Sequence, residues 1–192
     1  KEENVAKRLK ILASGNDKAA EFIRKFHYGL FSYVSHRIPE ISDDIYRVDD
    51  AMRAGFGWEL GPFESWDALG VADTVAKMKD AGYTVAPWVD EMLKKGFQSF
   101  YRLEKGKRLY YDVSKYDYAS LPGSDAYLVM RNFQDATIWT NGSCRLYHLG
   151  DDVLGLEWYT KMGTIGGEVL EAIQRSVNIA EEKYRGLVIA NE

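Results

Sequence analysis

The sequence is poor in the residues that most often carry chemistry. It has one cysteine, Cys144, three histidines and four prolines in 192 residues. A single cysteine can form neither an internal disulfide nor a multi-cysteine metal site, which fits a reducing, cytoplasmic setting. His27 falls in an amphipathic helical pattern and His148 in a strand pattern. Neither has a His, Cys or carboxylate partner at metal-ligand spacing, so both read as structural and no metal is expected. Lys and Arg number 25 against 29 Asp and Glu, for a net charge of −4 and a pI of about 5.5. There is no basic stripe to neutralise phosphates, which excludes nucleic acid as a partner. No apolar run approaches the roughly 18 residues needed to span a bilayer, and the N-terminus has no signal pattern. GxGxxG, GKS/GKT, GxSxG and HExxH are all missing, so no phosphate loop, nucleophile elbow or zinc helix is written in the chain.

What is present is core material. Hydrophobic residues make up 46% of the chain and aromatics 14%, enough to exclude a disordered polymer. The length suits about one to two domains. The chain starts at Lys1 without a methionine, which fits a piece of something longer, although tag removal or terminal disorder gives the same start.

The first half reads as helices. Residues 17–38 carry Phe22, Ile23, Phe26, Leu30, Tyr33 and Val34 at spacings of three and four, a stripe expected to face inward. Pro39 is expected to end that helix. Ser42 is an N-cap candidate, followed by Asp43 and Asp44 in the first turn. Ile45, Val48 and Met52 form the next buried stripe, with Gly55 as its stop. Gly61-Pro62 restarts a helix, because proline at the first position gives up an N–H that has no partner there anyway. Phe63, Trp66 and Leu69 follow at three-residue spacing and Gly70 closes the segment. Short helices are expected over 71–81 and 87–95.

The texture then changes. Two aromatic-rich arms flank Glu104-Lys105-Gly106-Lys107, a hairpin pattern. Residues 114–125 collect Ser, Asp, Pro and Gly and read as a linker. Two apolar arms around Gly150-Asp151-Asp152 predict a second hairpin. A helix over 166–184 should bury Val169, Ile173, Val177 and Ala180, and "GLVIAN" reads as a short strand of the kind buried in a sheet. The chain is therefore expected to be mainly α with a small α/β segment. Strand, strand, helix and strand in about fifty residues make a poor independent core, a second sign of a fragment.

The stretch "GFGWELGPFESWDALG", residues 55–70, packs four glycines, two tryptophans, two phenylalanines and three carboxylates into sixteen positions. Glu59, Glu64 and Asp67 could form a cluster in which desolvation raises one pKa. The plainer reading, taken here, is solvated first-turn acids that complement the helix dipole. His36, in "SHRIPE", could pair with Glu40 as an oriented base, although four residues across a proline make an unreliable contact. The plainer reading is a partly exposed histidine at a helix end.

Residues 37–71, "RIPEISDDIYRVDDAMRAGFGWELGPFESWDALGV", resemble the C-terminal helical domain of 3-hydroxyacyl-CoA dehydrogenases in its second copy. The resemblance is strongest to bacterial and archaeal proteins that fuse the dehydrogenase to an enoyl-CoA hydratase (crotonase) domain. An acidic "D-x-A-M" helix is followed by "G-x-G-x-x-x-G-P-F/L-E-x-x-D-x-x-G". It is met here by Asp50, Ala51, Met52, Gly55, Gly57, Gly61, Pro62, Phe63, Glu64, Asp67 and Gly70. The tail from "LGDDVLGLEWYTK" to "GLVIAN" is similar to the start of a crotonase domain.

The resemblance implies a 6-phosphogluconate dehydrogenase C-terminal-like helical domain over 1–96. A β-hairpin and connector would follow over 97–140, and an incomplete crotonase-like β-β-α-β segment over 141–192. It implies a parent enzyme of fatty-acid β-oxidation that oxidises (3S)-3-hydroxyacyl-CoA to 3-ketoacyl-CoA with NAD and also hydrates 2-enoyl-CoA. NAD and a CoA thioester would belong to that parent, with no cofactor expected on this piece. The catalytic His–Glu pair and the NAD-binding unit have no counterpart here, so no catalytic residue is assigned. An asparagine that the first helical copy supplies in a "V-N-R" setting is replaced by "VSHR" (Val34 to Arg37), and its role is not carried over. His36, Gly61, Pro62 and Glu64 are the positions expected near substrate. Lys161, Met162 and Gly163, in the loop 159–165, are expected near CoA. The expected partners are the missing NAD-binding domain and the rest of the crotonase domain of the same chain, with a homodimer as another. A non-enzymatic interaction or scaffold module, docking through its aromatic corner, is the alternative; burial of Trp58, Phe63 and Trp66 would argue against it.

Overall fold

The computed structural model describes residues 2–191, with Asp125 described in its backbone alone. They gather into two compact units. One takes in residues up to 102 together with 109–121, the other 103–108 together with residues from 122 onward.

The first unit opens with six helices whose ends follow from local sequence. α1 (Val5–Ser14) is capped by the Asn4 side chain on the Lys7 N–H, and α2 (Lys18–His36) by Asp17 on the Ala20 N–H at 2.8 Å. α3 (Ile45–Phe56) starts one residue after Asp44, so the expected cap Ser42 lies too early. Its hydroxyl instead bonds the Asp44 backbone. The helix runs past Gly55 and stops at Gly57, which takes the left-handed conformation (φ +67°) that glycine adopts without steric cost. α4 (Pro62–Leu69) and α6 (Pro87–Lys94) both begin at proline, and α5 (Val71–Asp80) lies between them.

The inward face of α2 differs from the expected stripe. Tyr28, Phe31, Val34 and Ser35 are buried, while Phe22, Phe26 and Tyr33 are largely exposed. The helix is apolar on two faces, and tertiary packing selects one. Phe31 stacks on Trp66 with ring centroids 4.7 Å apart, and Phe63, Trp88 and Phe100 close around the pair. Burying each such side chain stabilises by about 1.5–3 kcal/mol. The Ser35 hydroxyl accepts from the Ala86 N–H and its carbonyl accepts from Trp88 Nε1, which fixes the approach to α6.

β1 (Tyr101–Glu104) and β2 (Lys107–Asp112) form the first expected hairpin. β3 (Asp117–Ser120) pairs antiparallel with β2 inside the stretch that reads as a linker. Tyr118 holds it in place, packing its ring against Phe97 and Tyr111.

In the second unit, a 3-10 segment at Met130–Ala136 precedes β4 (Thr137–Thr140), β5 (Cys144–Gly150) and β6 (Val153–Trp158). α7 (Gly167–Lys183) and β7 (Gly186–Ile189) follow. The strand order is β4-β5-β6-β7, with only β6–β7 parallel. Asp151 and Asp152 both have positive φ, as a tight hairpin turn requires. α7 buries Val169, Ala172, Ser176 and Ala180; Ile173 is partly buried, and Val177, expected inside, is 40% exposed. Met130 and Phe133 pack with Tyr147 in a separate small cluster. β7 is an edge strand with Val188 and Ile189 about half exposed, where a strand buried in a sheet was expected. No helix among the described residues is long and apolar enough to cross a membrane.

Candidate functional site

Gly61 at the N-cap of α4 has no side chain with which to bond the first N–H groups of the helix. A carboxylate from the neighbouring helix does so instead. Asp49, on the inward face of α3, accepts from the Phe63 N–H at 2.8 Å and the Glu64 N–H at 3.1 Å, and also from the Tyr101 hydroxyl at 2.8 Å. The approach is so close that a Cβ on Gly61 would lie 2.5 Å from the Asp49 Cα. Glu64 turns back to accept from the Gly61 N–H at 2.7 Å, the reciprocal half of a capping box. Its other oxygen receives Arg53 Nη1 at 2.8 Å, and Arg53 also pairs with Asp50. Asp67, one turn on, accepts from the Phe100 and Tyr101 N–H groups and so anchors the entry to β1.

Asp49 is fully buried, and loss of solvation pushes its carboxyl up to about 7. Its hydrogen bonds from Phe63, Tyr101 and Glu64 oppose that rise, and the Glu64 charge adds to it. Glu64 is 8% exposed. The reading of Glu64 and Asp67 as solvated first-turn acids is therefore corrected: Asp49, Glu64 and Asp67 together receive five backbone N–H groups. Sequence reasoning passed over Asp49. The signal was its position, four residues after Ile45 and three before Met52, a carboxylate on the apolar stripe. Phe63 and Trp66 are fully buried, and Trp58 is half-buried.

The remaining candidate positions are dispersed. Gly61, Pro62 and Glu64 share the corner. His36, the last residue of α2, is exposed and bonds the Ser32 carbonyl through Nδ1. Glu40, the partner considered for it, pairs with Arg37 at 2.6 Å. Lys161, Met162 and Gly163 lie in the loop between β6 and α7, all exposed. Trp158 Nε1 donates to the Gly163 carbonyl, and the Thr160 and Thr164 hydroxyls bond carbonyls of the same loop. α7 then begins at Gly167 with no side-chain cap on its first N–H groups. His27 is half-buried on α2 and His148 lies beside the Tyr184 ring. Among the described residues no group of three or more His, Cys, Asp or Glu side chains gathers as metal ligands would.

The chain is 35% identical over 185 residues to a "Probable 3-hydroxyacyl-CoA dehydrogenase" of Bacillus subtilis (strain 168), a match covering 96% of this chain and 23% of that protein. It is 23% identical over 189 residues to a "Putative fatty acid oxidation complex trifunctional enzyme" of Rickettsia prowazekii (strain Madrid E), covering 94% and 22%. A protein of the same description from Rickettsia felis (strain ATCC VR-1525 / URRWXCal2) matches over 44 residues at 39% identity. The chain thus spans about a quarter of the length of the first two relatives. No family model and no solved structure matches it.

Proposed function

We propose that this chain is a segment of a 3-hydroxyacyl-CoA dehydrogenase of fatty-acid oxidation, and that the chemistry of the whole enzyme is carried elsewhere. The observation that carries the reading is the 35% identity to the Bacillus protein over nearly the whole chain. In this reading the parent oxidises (3S)-3-hydroxyacyl-CoA to 3-ketoacyl-CoA with NAD and also hydrates 2-enoyl-CoA. The helical unit is a C-terminal domain of the dehydrogenase, and the β-β-α-β segment begins a crotonase-like domain. His36 and the Gly61–Glu64 corner wall the acyl-CoA cleft, and the segment takes part in helical packing between domains or copies. The NAD-binding domain and the rest of the crotonase domain are its partners.

The residues of this chain do not fit NAD. No GxGxxG follows a strand, and the glycines of the corner join two helices. No step of hydride transfer is therefore assigned to them. The carboxylates that could have acted as acid or base are already held by backbone N–H groups, which supports a structural role for the corner. Burial of Phe63 and Trp66 supports it over a docking module built on those rings. For CoA, Lys161 is a mobile point charge suited to a phosphate, beside the uncapped start of α7.

The test is NADH formation from 3-hydroxybutyryl-CoA, measured with the 192-residue chain and with the full-length protein that carries it. The expected result is activity in the long protein and none in the short chain. Activity in the short chain would overturn the absence of catalytic residues, and an inactive long protein would overturn the dehydrogenase reading.

A further inference from the structure

The loop between β4 and β5, in the second unit, carries the dipeptide Asn141-Gly142, which none of the preceding chemistry uses. An asparagine before glycine cyclises more readily than one before any other residue. The next backbone nitrogen is the nucleophile, and on glycine no side chain shields it. Gly142 is exposed, and its N–H has no hydrogen-bond partner among the described residues.

The asparagine, by contrast, is held at both ends of its amide. Oδ1 accepts from the Ser143 N–H at 3.0 Å and the Cys144 N–H at 2.8 Å, which closes the turn. Nδ2 donates to the Glu168 carbonyl at 3.0 Å and so ties the loop to the first turn of α7. The Ser143 hydroxyl adds a second tie by donating to the Glu168 carboxylate, whose oxygens lie 3.1 Å from where a Cβ on Gly142 would stand. Nδ2 is the nitrogen that deamidation expels. Its bond to Glu168 must break before the reaction finishes, so conversion waits on the loop parting from α7.

We propose that Asn141 is a deamidation site whose conversion is gated by the contact between this loop and α7. The Gly142 nitrogen loses its proton and bonds to Asn141 Cγ; the Cγ–Nδ2 bond breaks, and Nδ2 leaves as ammonia. Water then opens the cyclic imide at either carbonyl, giving aspartate or isoaspartate. Both products lack the Nδ2 donor, so the Glu168 carbonyl loses its partner and faces a carboxylate. Isoaspartate also adds a carbon to the main chain, which displaces the acceptor of the Ser143 and Cys144 N–H groups. The positive end of the α7 dipole favours the new charge but does not replace the lost donor. The converted loop therefore stays parted from the helix, and the change runs one way. The site goes beyond the dehydrogenase reading and does not depend on it, because its measurement needs neither NAD nor turnover.

Peptide mass spectrometry of the 192-residue chain, incubated at mildly alkaline pH both folded and in urea, tests it by counting aspartate and isoaspartate at position 141. Both should form in each state, and about tenfold or more slowly in the folded chain, where the bonds to Asn141 must first break. Ser143→Ala removes one tie to Glu168; it should speed conversion about threefold when folded and leave the rate in urea unchanged. Gly142→Ala should slow conversion in urea, because a methyl then crowds the attacking nitrogen. Asn141→Asp, one of the two products, should lower the melting temperature by about 2–4 °C. The proposal is overturned if the folded chain forms no isoaspartate at 141, or forms it as fast as in urea. It is equally overturned if Ser143→Ala leaves the folded rate unchanged, if Gly142→Ala converts like the parent in urea, or if Asn141→Asp melts like the parent.

Discussion

At the scale of single residues, the corner turns on Asp49. A buried carboxylate facing two N–H groups and a phenol is at once a cap and a liability. Its folded pKa is raised from 3.8 to about 7, so between those values the folded chain holds a proton that the unfolded chain has released. The contribution of Asp49 to stability is therefore fully present below about pH 4 and is lost as pH rises through 7, a swing on the order of 4 kcal/mol. Urea denaturation at pH 4.5, 6 and 7.5 should resolve that fall in the parent chain and a shallower one in Asp49→Asn. Equal slopes in the two would show that Asp49 does not titrate in this window. Gly61→Ala should lower stability by about 2 kcal/mol or more, because the new methyl meets the Asp49 backbone and not a flexible side-chain tip. A thermal melt measures that loss directly.

At the scale of elements, much was legible because the signals are local. Gly61-Pro62 marks the start of α4, and Asp17 caps α2 through a side chain that needs no tertiary partner. The hairpin around Asp151-Asp152 follows from turn chemistry. What escaped depended on distant packing. α2 presents two apolar faces, and distant partners decide which is buried: Trp66, thirty-five positions beyond Phe31, and Ala86 and Trp88 beyond Ser35. β3 hides in a polar, linker-like stretch because an edge strand needs few apolar residues, and here Tyr118 and Ala119 are the ones that pack against the core. Gly55 and Gly57 compete as helix stops, and only the left-handed φ of Gly57 separates them. The turn chemistry gives its own prediction. Both central residues of the β5–β6 turn have positive φ, so Asp152→Gly should stabilise the second unit by about 0.5–1 kcal/mol, read as a raised melting temperature. A lowered melting temperature would mean that the Asp152 side chain holds the turn.

At the scale of the whole molecule, the fingerprint in residues 55–70 and its partner Asp49 form a joint. Three carboxylates organise five backbone N–H groups and lock α3, α4 and the start of β1 together. The family resemblance was legible because such a joint fixes many residues at set spacings. Asp49 escaped notice because a carboxylate inside an apolar stripe is conspicuous only when its partners, fourteen and fifty-two positions away, are known. The similarity to a probable 3-hydroxyacyl-CoA dehydrogenase runs over 96% of the chain, so it takes in this joint.

The central claim is that these carboxylates hold structure and do not transfer protons to substrate. The most direct measurement is kcat for NADH formation from 3-hydroxybutyryl-CoA in the full-length protein carrying Glu64→Gln, taken together with its melting temperature. The account predicts a lowered melting temperature and a kcat within about tenfold of the parent. A loss of about 10²–10⁴-fold in kcat at an unchanged melting temperature, the size expected for a general acid or base, would contradict it.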